Sequence, residues 1–101
     1  MYMSVLVKNA PSPVDLQPPS SYGTWIEYWE GKSGKKLKTY IKYKYPAGDC
    51  SEVCYRKDFD GWHVQNFLDS AHKVYIIPLC SSCNHRNDYF FVDEKLLVPI
   101  P

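Results

Sequence analysis

The chain has 101 residues, a formal net charge of +1 at pH 7 and an aromatic content of 16%. This length suits one domain with a modest hydrophobic core, and the near-neutral charge excludes the strongly basic composition of many nucleic-acid-binding proteins. No apolar run reaches the roughly 20 residues that span a bilayer, and the N-terminus lacks the basic segment of a signal peptide. We therefore expect a cytoplasmic protein without a membrane partner.

Residues 1–21 are predicted to form a proline-rich N-terminal arm. Residues 1–7 have the composition of a short strand, whereas residues 9–21 contain four prolines and three serines with little apolar patterning. Such a segment is typical of a linker or of an arm that lies on the surface. The remaining residues, 22–101, are predicted to form a single domain, with a β-hairpin over 22–46 and a zinc-binding unit over 47–101.

The predicted hairpin depends on two stretches that are rich in β-forming residues. Residues 24–30, Thr-Trp-Ile-Glu-Tyr-Trp-Glu, form the first stretch, and residues 37–45 form the second. Residues 31–35 contain two glycines and are predicted to form the turn between them.

The second strand of the hairpin has a basic face. With alternating side chains, one face carries an aromatic ring among lysines, and the other face is mostly apolar. The residues on the basic face are Lys36, Lys38, Tyr40, Lys42 and Lys44. Two functions fit this pattern: the strip contacts the phosphates and bases of a nucleic acid, or its lysines keep an exposed strand edge from pairing with other chains.

Four cysteines form two close pairs along the chain. Cys50 and Cys54 make the first pair, and Cys80 and Cys83 make the second, in a Cys-Ser-Ser-Cys turn. This grouping favours one tetrahedral Zn(II) site with four sulfur ligands over disulfides or redox-active thiols, because paired cysteines in a reducing cytosol are more often metal ligands. A structural zinc would also help to stabilise so short a chain.

Three further strands are predicted in the C-terminal half. They cover residues 62–68, 74–79 and 89–92, and a proline-limited edge segment follows over 96–101. The aromatic cluster Tyr89, Phe90 and Phe91 is expected to belong to the core. The strand over 74–79 leads directly into the second cysteine pair.

Three features follow one another between residues 50 and 88. They are the first cysteine pair, the His63-Val64 dipeptide and a strand that ends Ile-Pro-Leu-Cys-Ser-Ser-Cys-Asn. In this order they resemble the zinc-bound treble-clef form of the HNH endonuclease superfamily. The resemblance implies a small α+β fold, in which a zinc-stapled treble-clef, HNH-like domain follows the N-terminal β-hairpin.

The resemblance also implies roles for individual residues. All four cysteines would hold the structural zinc, His63 would be the general base, and Asn84 would help to hold Mg(II) or another divalent cation at the scissile phosphate. In such chemistry a neutral imidazole takes a proton from water, and the cation stabilises negative charge on the phosphate. The residue types alone also suit His63 to a hydrogen-bonding role beside the zinc, or to the place of a zinc ligand.

Two functions are consistent with these features. The first is an HNH-like protein that binds nucleic acid or cleaves it by metal-dependent phosphodiester hydrolysis. The second is a catalytically inactive, zinc-stapled module that docks on a protein partner through exposed aromatic side chains. The sequence does not decide between an enzyme and a binding protein.

Overall fold

The computed structural model of the protein describes residues 4–10, 17–37, 43–44, 53–66, 73–80 and 89–100. The elements in chain order are strand β1 (Ser4–Asn9), helix α1 (Trp25–Ser33) and strands β2 (Tyr43–Lys44), β3 (Val53–Cys54), β4 (Phe59–Asn66), β5 (Val74–Cys80), β6 (Phe90–Asp93) and β7 (Val98–Pro99). Single turns of 3-10 helix, Arg56–Asp58 and Glu94–Leu96, precede β4 and follow β6. No helix within these ranges has the length and apolar character needed to span a bilayer.

Five of the strands form one antiparallel sheet with the order β6-β1-β4-β5-β7, and β2 pairs with β3 in a second, two-stranded sheet. The longest pairing joins β4 to β5, from Phe59 opposite Cys80 to Gln65 opposite Val74. Strand β1 lies between β4 and β6 and pairs with both. The strands predicted in the C-terminal half are confirmed, and so is the edge position of the last segment, where Pro99 lies in the outermost strand β7.

The segment that begins at Trp25 is an α-helix, so the predicted N-terminal β-hairpin is wrong. Judged in isolation, the aromatic residues of this segment favour a strand. In the structure one side of the helix is buried, and Ile26, Tyr28 and Trp29 lie against the sheet with 5% exposure or less. Packing against the rest of the protein overrides the weaker local preference for a strand. The middle of the second predicted strand, residues 38–42, lies outside the described residues.

Both ends of α1 are capped by side chains and backbone groups from its immediate neighbours. The Thr24 hydroxyl accepts a hydrogen bond from the Glu27 N–H at 3.2 Å, and the Glu27 carboxylate accepts one from the Gly23 N–H at 3.1 Å. At the other end Gly34 adopts a φ of 74° and donates its N–H to the Glu30 carbonyl at 3.1 Å. These bonds satisfy backbone groups that the ends of a helix leave open, and they explain where α1 begins and ends.

The zinc-stapled treble-clef, HNH-like α+β fold expected from the resemblance is also wrong. The described residues form mostly a five-stranded antiparallel sheet with one α-helix, and among them no group of three or more His, Cys, Asp or Glu side chains could hold a metal ion. Strand pairing and helix packing organise this part of the chain, because β1 inserts into the sheet and α1 packs on β4 and β5. The helix expected after the second cysteine pair falls within residues 84–88, outside the described ranges.

The two faces of the five-stranded sheet are covered differently. Opposed residues in antiparallel strands share a face, so His63 and Ile76 point to the same side. Helix α1 packs on this side over β4, β5 and β7, and Trp29 belongs to one buried cluster with Ile76. We call this side the helix face. The opposite face contains Val7 and Val92, both fully buried.

Candidate functional site

His63, the predicted general base, lies in β4 on the helix face and is only 7% exposed. The Trp25 indole packs edge-on against its imidazole, with ring centroids 5.0 Å apart and an interplanar angle of 80°. The adjacent cleft, lined in part by Trp25, Asp60 and Gly61, does not reach His63. A general base must contact the water that it activates, and here the helix covers the imidazole.

The imidazole of His63 is buried away from solvent. Its Nε2 atom is buried and has no hydrogen-bond partner among the described residues. Desolvation by burial lowers the pKa of His63 below its ordinary value of 6.5. Because burial penalises the charged ring, the neutral form is favoured and the residue acts as part of the packing between α1 and β4.

The lowered pKa of His63 predicts a loss of stability in mildly acidic solution. The unfolded chain binds a proton at the ordinary histidine pKa of about 6.5, whereas the folded chain resists protonation until a lower pH. Stability should therefore be steady above about pH 7 and fall as the pH drops below 6.5. Urea midpoints measured between about pH 7.5 and pH 5 test this. His63→Gln should flatten the dependence, whereas a slope equal to that of wild type would contradict it.

The predicted zinc ligands are described only in part. Cys80 ends β5 and is 1% exposed, and the backbone of Cys54 lies in β3 opposite Tyr43. Cys50 and Cys83 lie outside the described residues, and so does Asn84, the expected ligand of the catalytic cation. The Zn(II) site and the Mg(II) site therefore stay predictions.

The predicted basic strip is described only at its two ends. Lys36 is exposed in the segment that follows α1, and the backbone of Lys44 lies in β2. Lys38, Tyr40 and Lys42 lie outside the described residues. A nucleic-acid contact by this strip stays a prediction.

A different surface lies on the part of the helix face formed by β1 and β6. Among the described residues the exposed large hydrophobic side chains are Phe91, at 58%, and Tyr89, at 43%. Leu6 lies opposite Phe91 in the sheet and is partly buried. The exposed Lys8 holds its ammonium group 5.6 Å from the centroid of the Tyr89 ring. We call these four residues the β1–β6 patch.

The patch follows from the alternation of side chains in β6. Phe90 and Val92 point to the opposite face and are 3% and 0% exposed, so Phe91 between them points to the helix face. On that face α1 packs mainly on β4, β5 and β7, which leaves Phe91 uncovered. Phe90 lies in the core as expected, whereas Tyr89 and Phe91, which were also expected there, are exposed.

The two ends of the β1–β6 patch carry opposite charges. Lys8 lies at one end, beside Tyr89. Asp93 lies two residues after Phe91 and on the same face, opposite Ser4, and it is partly buried. The Asp93 Oδ1 atom accepts a hydrogen bond from the Lys95 N–H at 3.0 Å. The surface is therefore apolar in the middle, positive at one end and negative at the other.

No protein-family model, curated protein or solved structure matches this chain. The likeness to the HNH superfamily consequently depends on the sequence motifs alone. A fold by itself does not determine what a protein does, so the geometry and chemistry of its sites are the guide to function.

Proposed function

We propose that this protein is a zinc-binding module for protein–protein interaction and that the β1–β6 patch contacts its partner. The observation that carries the proposal is the 58% exposure of Phe91 beside Leu6 on the face of the sheet. Covering these side chains with a partner removes apolar surface from water, which is favourable by roughly 25 cal/mol per Å². Aromatic residues are also enriched where proteins bind one another.

The topology of the sheet supports the zinc part of the proposal. β4 begins at Phe59 and β5 ends at Cys80, and these two residues are opposed, so the chain enters β4 and leaves β5 at the same end of the sheet. Cys54 precedes Phe59 by five residues, and Cys83 follows Cys80 by three. A zinc bound by these cysteines, with sulfurs at about 2.3 Å, would therefore link the segment that enters β4 to the segment that leaves β5.

A short turn shapes the path between the first cysteine pair and β4. In the 3-10 turn Arg56–Asp58, the Asp58 carboxylate accepts a hydrogen bond from the Tyr55 N–H at 2.9 Å. The Asp58 N–H in return donates to the Tyr55 carbonyl at 2.9 Å. These two bonds stabilise the turn between Cys54 and β4, and a zinc bound at this point would have a structural role.

Two observations favour a binding function over nucleic-acid cleavage. His63 is covered by α1, as described above, which suits packing better than proton transfer to a bound water. The β1–β6 patch contains one lysine and is bordered by Asp93, whereas proteins that bind nucleic acid usually neutralise several phosphates with Lys or Arg. The HNH-like function stays a prediction, which metal-dependent plasmid nicking that requires His63 would support.

The proposal is tested first by metal content. Elemental analysis of gel-filtered protein should find about one zinc per chain. Cys80→Ala should lose the zinc, and Ile77→Val, a smaller truncation in the same buried strand, should keep it. Wild-type protein without zinc, or Cys80→Ala protein that retains it, would overturn the metal part of the proposal.

The interaction part is tested by placing a benzophenone photo-crosslinker at position 91 in cells that produce the protein. A specific protein crosslink is expected from position 91 and not from position 36, which is exposed but outside the patch. Plasmid nicking with Mg(II) or Mn(II) provides the rival outcome. Metal-dependent nicking that His63→Ala abolishes, with no crosslink from position 91, would replace the proposed function by the nuclease.

A further inference from the structure

Two clefts border α1, and they differ in charge. The cleft at the start of the helix has a volume of about 480 Å³, and Glu27 and Asp60 line it together with Lys57. The cleft at the end of the helix has a volume of about 520 Å³, and the charged side chains among the described residues that line it are Lys32 and Lys95. Of the two, the second cleft therefore offers a ligand positive charge without an opposing carboxylate.

We call the cleft at the end of the helix the α1–β7 cleft. It is formed by Tyr28, Lys32 and Ser33 of α1 and by residues 95 and 97–100. Hydrogen bonds join its two walls, because the Tyr28 hydroxyl donates to the Pro99 carbonyl at 2.8 Å and Trp29 Nε1 donates to the Leu96 carbonyl at 2.7 Å. The walls are thus fixed relative to each other before a ligand binds, which lowers the entropic cost of binding.

The two lysines of the α1–β7 cleft come from separate segments. Both are exposed, and within the described part of the chain neither side chain has a hydrogen-bond or ion-pair partner. Lys32 lies in the last turn of α1, where a cation balances the partial negative charge of the helix end. That effect does not account for Lys95, which lies in the 3-10 turn after β6. Two unpaired ammonium groups therefore line one cleft.

The rest of the α1–β7 cleft combines an apolar wall with one more hydrogen-bond donor. Residues 97–100, Leu-Val-Pro-Ile, form the wall. The Ser33 Oγ atom accepts a hydrogen bond from the Lys35 N–H at 3.1 Å, which leaves its own O–H able to donate. A ligand in this cleft would meet apolar side chains, a hydroxyl donor and two positive charges.

We propose that the α1–β7 cleft binds a small organic anion, in which an apolar group carries a single carboxylate or phosphate. The two ammonium groups and the Ser33 hydroxyl would hold the oxygens by charge-assisted hydrogen bonds, and the apolar group would lie against residues 97–100. Sites for small molecules have volumes of about 300–1,000 Å³, a range that includes this cleft. The cleft contains no residue of the β1–β6 patch and no cysteine, so the proposal does not depend on the interaction function.

The inference is tested by titrating the full chain with octanoate and with octyl phosphate, up to about 10 mM, and recording ¹H–¹⁵N correlation spectra. The amide signals of Lys32, Ser33 and Ile100 should shift along one saturating curve, whereas those of Leu6 and Phe91 in the β1–β6 patch should stay in place. Octanol has the chain without the charge, and acetate has the charge without the chain. Each should bind at least about tenfold more weakly than octanoate.

Two double variants separate the cleft from a general effect of net charge. Lys32→Gln with Lys95→Gln should weaken octanoate binding by about tenfold, since each exposed ion pair is worth a factor of about three. Lys35→Gln with Lys57→Gln removes the same charge from exposed positions outside the cleft and should change binding by less than about twofold. All four side chains are exposed, so both variants should keep the circular dichroism of wild type. Spectra without saturable shifts at the cleft, or equal weakening by the two double variants, would overturn the inference.

Discussion

Replacing Trp29 with alanine is expected to lower the free energy of unfolding by about 3–5 kcal/mol. The indole is 1% exposed and packs with Tyr28, Ile76 and Val98 between α1 and the sheet. Its Nε1 atom also donates a hydrogen bond to the Leu96 carbonyl at 2.7 Å. A domain of this size is stable by only about 5–15 kcal/mol, so urea denaturation followed by circular dichroism should show a much earlier transition.

Three variants of the same helix separate the contributions to this loss. Trp29→Phe keeps an aromatic ring but removes the bond to Leu96, and Tyr28→Phe removes only the bond from the Tyr28 hydroxyl to the Pro99 carbonyl, at 2.8 Å. Each should cost about 1–2 kcal/mol. Lys32→Ala changes an exposed position and should stay within about 0.5 kcal/mol of wild type. A loss for Trp29→Ala no larger than that for Lys32→Ala would contradict the packing described here.

Gly61→Ala is expected to destabilise the protein by about 1–3 kcal/mol through overpacking. A Cβ atom at position 61 would lie 2.7 Å from the Trp25 carbonyl carbon and 2.8 Å from the Ile26 nitrogen. These are backbone atoms at the start of α1, so the helix itself would have to move away from β4. Thermal or urea unfolding measures the loss, and a change in the near-ultraviolet circular dichroism, to which Trp25 contributes, would report the shift of the helix.

Gly31→Ala is the matched control for this prediction. There the added Cβ would lie 2.6 Å from a ring carbon of Tyr22, which is the far end of a side chain that can rotate. Alanine within a helix also gains up to about 1 kcal/mol over glycine, so the two effects should nearly cancel. If Gly31→Ala destabilised the protein as much as Gly61→Ala, close approach of the helix backbone to β4 would not be the cause.

The sequence predicted a strand where the structure has α1, although it also contains signals for both ends of a helix. Thr24 followed three residues later by Glu27 is a helix start signal, and Gly34 is a helix stop signal. The intervening Trp, Ile and Tyr residues favour strands when they are judged locally. The segment forms a helix and not a strand because its buried side packs on an apolar sheet, which the local sequence does not reveal.

The cysteine pairs are visible in the sequence, whereas the surroundings of His63 and the β1–β6 patch are not. Two close cysteine pairs can be recognised from spacing alone, because covalent connectivity keeps the members of each pair near each other. The role of His63 could not be recognised in this way, since Trp25, 38 residues earlier in the chain, lies against its ring. The β1–β6 patch likewise brings residues 6 and 8 together with residues 89 and 91.

By itself the sequence determined the strands β4, β5 and β6, because alternation of apolar side chains is a local property that sets which residues share a face. Only the tertiary structure decided which positions on a shared face meet water. His63 and Phe91 both point to the helix face, and α1 covers the first and stops short of the second. Exposure depends on what packs above a residue, and that is set by contacts between segments far apart in the chain.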